Sequence, residues 1–121
     1  MKMKSFKFLP AIFFIAGGIT VNAQDVCKSN PSHCKTLVDT AGVKMMLITL
    51  KPGEELATHT HPWNFGYVLK GGLYKWTYPD GKTEMAQMKE GDSFSGAPEN
   101  THHSWNAGST TIQFVLYEKQ D

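Results

Sequence analysis

Two histidines one residue apart, His59 and His61, are the part of this 121-residue chain best suited to chemistry. In an extended strand alternate side chains share a face, so these two imidazoles point the same way. Neutral imidazoles converging from one face can offer two nitrogen ligands to a single divalent metal. An isolated His-x-His pair is equally at home as two solvated surface residues. The surroundings argue for a built site. A Pro52-Gly53 turn precedes the pair, and the apolar run Phe65-Gly66-Tyr67-Val68-Leu69 follows it. A second pair, His102-His103, lies close to the C-terminus. Neighbouring strand residues face opposite ways, so one of these two can join the first pair while the other faces out.

The elements that must position these groups are short β segments separated by turn chemistry. Val43 to Leu50 reads as a long, largely buried strand, and Thr36 to Thr40 as a shorter one before it. Leu56 to His61 carries the first histidine pair and is ended by Pro62, and Phe65 to Leu69 follows. Leu73 to Tyr78 alternates, with Tyr74, Trp76 and Tyr78 sharing a face. Pro79-Asp80-Gly81 is a hairpin signal, because proline presets φ and glycine accepts a left-handed backbone. Lys82 to Met88 returns, Asp92 to Ser95 is a short strand, and His102 to Asn106 and Thr111 to Lys119 complete the set. Helical periodicity of useful length is absent after residue 23. Many short, evenly spaced strands point to a sandwich or barrel, and a double-sheet jelly roll hides most strand edges in so small a chain.

The first 23 residues are expected to be a signal peptide. Lys2, Lys4 and Lys7 form a basic start, Phe8 to Val21 is apolar, and Val21-Asn22-Ala23 offers small residues for cleavage. The expected location is periplasmic or secreted, with no membrane association after cleavage. Removing three lysines takes the formal charge from +1 to about −2. The chain contains no arginine and no basic patch. That excludes nucleic acid as a natural partner, since phosphate binding needs dense cationic contacts. Cys27 and Cys34 form an even pair, which in an exported chain predicts a disulfide within an N-terminal arm spanning 24–42.

Over roughly Val43 to Lys119 the chain resembles the cupin superfamily, and specifically a small single-domain exported cupin. The first motif of that family, G-x5-H-x-H-x3–4-E-x6-G, is echoed by Gly53, His59, His61 and Gly71-Gly72. The second, G-x5-P-x-G-x2-H-x3-N, is echoed by Gly91, Pro98, His102-His103 and Asn106. The resemblance implies an all-β, cupin-type double-stranded β-helix, or jelly roll, as a single domain over 43–119. It implies three metal-ligating histidines: His59, His61 and His102. His102 is preferred because it keeps the H-x3-N spacing to Asn106, whereas counting from Pro98 selects His103. The metal class is Zn, Mn, Fe, Ni or Cu. The motif's glutamate is missing, and its position falls on Asn64. An amide oxygen can ligate but brings no charge, so His103 and Asn64 stand as alternative ligands.

Trp63, Phe65, Tyr67, Trp76 and Phe94 are expected to line the pocket. The implied function is capture of a small molecule in the barrel beside a divalent metal. The alternative is a metal-dependent oxygenase, isomerase or lyase acting on a small organic acid, sugar or aromatic compound. The fold hosts both classes, so the site must decide. A homodimer is a further expectation, resting on the apolar Thr111 to Lys119 strand.

Overall fold

A computed structural model describes residues 25–98 and 100–120, so the expected signal peptide lies outside the described residues. The elements are α1 (Val26–Ser29), β1 (Cys34–Thr40), β2 (Val43–Leu50), β3 (Glu55–His61), β4 (Asn64–Lys70), β5 (Gly72–Thr77), β6 (Thr83–Met88), β7 (Ser93–Gly96), β8 (Asn100–Asn106) and β9 (Ile112–Lys119). Their alternation explains the fold. Met46, Ile48 and Leu50 on β2, Val68 on β4, and Ile112, Phe114 and Leu116 on β9 recur at every second position and are buried. A strand with one apolar face needs a second sheet to cover it. The chain therefore forms two antiparallel sheets, ordered β1-β2-β9-β4-β7 and β3-β8-β5-β6. The long crossovers that place β9 between β2 and β4, and β8 between β3 and β5, are those of a jelly roll, as the strand spacing predicts. Among the described residues no helix is long and apolar enough to cross a membrane.

The N-terminal arm contains the strand expected at Thr36 to Thr40, begun two residues earlier. Cys34–Thr40 forms β1 and covers the open edge of β2 along its length. The preceding residues form one helical turn, capped by Asp25, whose carboxylate accepts from the Cys27 and Lys28 amides. Val26 is buried in the core. Cys27 and Cys34 are joined as a disulfide with their Cα atoms 4.8 Å apart. A bridge closing so short a loop stabilises by on the order of 2–3 kcal/mol through loop-closure entropy. The stapled turn also reaches the site, because Asn30 Oδ1 accepts from the Ala57 amide of β3 at 2.8 Å.

One glycine is indispensable to the interior. A Cβ on Gly66 of β4 would lie inside the Phe94 ring, which packs across that backbone from β7. The missing side chain lets Phe94 turn into the barrel and meet Phe114, with ring centroids 5.6 Å apart.

Candidate metal centre

The strand β3 does not alternate evenly. Its pairing with β8 slips between Leu56 and His59, the mark of a β-bulge. Leu56 and His59 are three residues apart and would otherwise face opposite sides. The bulge turns Leu56, His59 and His61 all inward, and all three are buried. On β8 the burial alternates so that His102, Ser104 and Asn106 face in. His102 stands directly across from His59 in the register.

The three rings close on one another. Centroids are 4.6 Å apart for His59 and His61, 4.7 Å for His59 and His102, and 5.1 Å for His61 and His102. Their nearest ligand atoms all lie within 4.8 Å of one another. Zinc–nitrogen bonds of about 2.0–2.1 Å keep two ligands at most ~4.2 Å apart, so a metal would draw the rings inward slightly.

Each Nδ1 already has an acceptor. His59 Nδ1 donates to the Ala57 carbonyl at 2.6 Å, within the bulge itself. His61 Nδ1 donates to Glu118 Oε2 at 2.6 Å. His102 Nδ1 makes a longer contact to Asn100 Oδ1, at 3.4 Å. This leaves the three Nε2 atoms free, which is the tautomer that ligates a metal. Burial holds His59 down at about 4, helped by the neighbouring His61 and opposed by the bond to Ala57. Burial likewise holds His102 down at about 3, with His59 and His61 adding to it. Both imidazoles are therefore neutral at pH 7. Buried, neutral, correctly oriented imidazoles are the donor set a divalent transition metal requires.

The alternative ligands fall elsewhere. His103 faces outward, where its Nε2 pairs with Glu55 and its ring packs beside Trp105. Asn64 lines the cavity, but its Nδ2 donates to the Pro62 carbonyl at 3.0 Å and lies 3.4 Å from that of Gly96. Its amide oxygen is what it could offer to a ligand. Asn106, the last residue of the second motif, is a tie. Its amide bridges the Leu50 and Thr110 carbonyls and the Gly108 amide, fixing the loop after β8.

The histidines open into a cavity of about 370 Å³. Trp76 and Phe94 line it as expected, together with Tyr74, Phe114, Ile48 and Leu56. Trp63, Phe65 and Tyr67 do not, which corrects the sequence expectation. They are 49%, 46% and 52% exposed. On β4 the inward parity belongs to Asn64, Gly66 and Val68, so Phe65 and Tyr67 must face solvent.

Sequence reasoning missed three polar partners. Tyr74 shares a buried 2.8 Å hydrogen bond with Ser104. Tyr78 donates to Glu84 at 2.7 Å, and both line the cavity. Glu118 is the third. Its signal was present, since Ile112, Phe114 and Leu116 set an inward parity on β9 that Glu118 continues.

The chain matches the family described as "Cupin domain" over residues 46–117. No curated protein matches it. Among solved structures it is similar to a cupin domain from Bordetella pertussis, at 20% identity and a TM-score of 0.68, covering 86% of this chain and 100% of that one. It is also similar to an RmlC-like cupin family protein with a double-stranded β-helix fold from Methanocaldococcus jannaschii. That match has 20% identity and a TM-score of 0.62, covering 85% and 94% of the two chains. A protein with a double-stranded β-helix domain from Klebsiella pneumoniae shares 19% identity at a TM-score of 0.60, covering 84% and 91%.

Proposed function

We propose that this chain, which belongs to the cupin family, captures a small neutral molecule in its barrel beside a divalent metal held by His59, His61 and His102. The observation that carries this reading is the set of three buried imidazoles, each with Nδ1 occupied and Nε2 free, in a cavity lined by aromatic, aliphatic and polar side chains. A metal bound there would supply a Lewis acid to polarise a ligand oxygen. Tyr74, Trp76, Phe94 and Phe114 would enclose the ligand's apolar body. Among the described residues no lysine lines the cavity, and Glu84 and Asp92 are the carboxylates that do. That charge balance favours a neutral hydroxylated ring over an organic acid. Zinc-loaded protein should therefore bind catechol at least tenfold more tightly than benzoate of similar size, by calorimetry. Equal or reversed preference would overturn the ligand class, and consumption of catechol during the titration would assign the site to catalysis.

The chain is further proposed to be exported, with cleavage after Ala23, and to work outside the cytoplasm. The basic, apolar start and the Cys27–Cys34 pair support this.

A homodimer is proposed through the outer face of the five-stranded sheet. β9 is central in that sheet, so it cannot pair by its edge and can only pack by its face. The register aligns Met45, Tyr117 and Phe65 in one row and Leu47, Val115 and Tyr67 in the next. A two-fold dimer uses the same patch on both copies, and these two rows offer apolar side chains on one face, with Phe65 and Tyr67 exposed. Light scattering across a concentration series should show a dimer that Tyr67→Lys converts to monomer. Monomeric wild-type protein at the highest concentration would dismiss it.

A further inference from the structure

The geometry points to Glu118 as the positioning residue of the metal centre, supplying from β9 the negative charge that β4 lacks. This rests on the reading of the three histidines as metal ligands. The first motif carries Asn64 where a glutamate is the family's pattern, which leaves three imidazoles and no carboxylate at that position. Asn64 pairs in register with Glu118 on the adjacent strand. The carboxylate has moved over by one strand and remains at the same level of the barrel.

Glu118 is only 4% exposed. Lys44 stands opposite it on β2, bonded to Asp25 and close enough to feel the Glu118 carboxylate as well. The bond Glu118 does make is to His61 Nδ1, at 2.6 Å. The carboxylate thus sits one hydrogen bond from a ring of the proposed ligand set, on the side away from Nε2. A divalent ion on Nε2, at the far side of the same ring, would be coupled to that carboxylate through the imidazole.

The arrangement has two consequences. The carboxylate holds the proton of His61 on Nδ1, fixing the ring's orientation and leaving Nε2 unprotonated. It also polarises the ring and makes Nε2 a stronger donor. Carboxylate–imidazole–metal relays act in this way, and losing the outer partner typically costs 10–100-fold in metal affinity. Glu118 would not need to touch the metal. Three imidazole ligands alone would leave the full charge of the ion at the site, and a carboxylate one hydrogen bond behind a ligand offsets part of it.

The experiment compares wild-type protein with Glu118→Gln and Glu118→Leu. Glutamine keeps an oxygen to accept from Nδ1 and loses the charge, whereas leucine loses both at similar volume. Zinc affinity is measured by chelator competition, and the His61 tautomer by ¹⁵N NMR of the metal-free protein. Glu118→Gln should bind zinc about tenfold more weakly while His61 keeps its proton on Nδ1. Glu118→Leu should approach a 100-fold loss, with His61 divided between tautomers. Metal-free unfolding midpoints identify any variant that fails to fold, and Glu118→Gln alone then decides. Affinities within twofold of wild type in the folded variants would overturn the inference. If wild-type protein binds no zinc, the metal reading itself has failed. The NMR arm still stands in that case, because a proton on His61 Nε2 in wild-type protein would overturn the positioning role by itself.

Discussion

Alanine at His59, His61 or His102 is expected to weaken zinc binding by at least 100-fold, while His103→Ala leaves it within twofold of wild type. Structural zinc sites with four ligands are worth about 10–16 kcal/mol, so one ligand accounts for roughly 3 kcal/mol, or about 100-fold. His103 differs because its side chain faces the opposite side of β8 and is held by Glu55. The two neighbours share sequence context, exposure to the same strand and the same chemistry. They differ only in which sheet face they occupy, so the contrast isolates geometry from composition. The same variants should lose the metal-dependent rise in thermal stability, since a ligand bound only by the folded state stabilises that state. Chelator competition and paired melting curves with and without zinc are the measurements. Loss of zinc from His103→Ala with retention in His102→Ala would mean that β8 sits one residue out of the described register. Unchanged binding in all four variants would remove the metal.

The metal-free protein is expected to lose stability steeply as pH falls below about 6.5. His59 and His102 are held at about 4 and about 3 in the folded chain, chiefly by burial. In the unfolded chain both return to the ordinary imidazole range near 6.5. Between those limits the unfolded state binds more protons, so acid favours unfolding. The stabilising difference is complete above pH 6.5. It declines until pH 4 for His59 and pH 3 for His102. Each group contributes a slope of up to about 1.4 kcal/mol per pH unit. Together they remove on the order of 5 kcal/mol by pH 4.5, comparable with the whole stability of a domain this small. Urea titrations at pH 7.5, 5.5 and 4.5, with chelator present, measure it. His102→Gln should roughly halve the slope, since its amide does not titrate. A flat profile between pH 7.5 and 4.5 would mean the histidines are not buried as described.

Much of the fold was legible in the sequence because strand formation is local. The alternation of Met46, Ile48 and Leu50, the Pro79-Asp80-Gly81 turn and the shared face of Tyr74, Trp76 and Tyr78 all follow from a period of two and from turn chemistry. His59 and His61 had to point the same way for the same reason. Period two, however, sets only which residues share a face, and says nothing of whether that face looks in or out. That sign comes from pairing with a distant strand. It put His102 inside and His103 outside, and it turned Phe65 and Tyr67 to solvent because Gly66 admits the Phe94 ring. Two features were beyond any local reading. The bulge between Leu56 and His59 exists only against β8. Glu118 reaches His61 from 57 residues away through the β4–β9 register. Local periodicity therefore determined the strands and the pairing of two histidines. Long-range register chose the third, and brought a carboxylate from the last strand to the ring of His61.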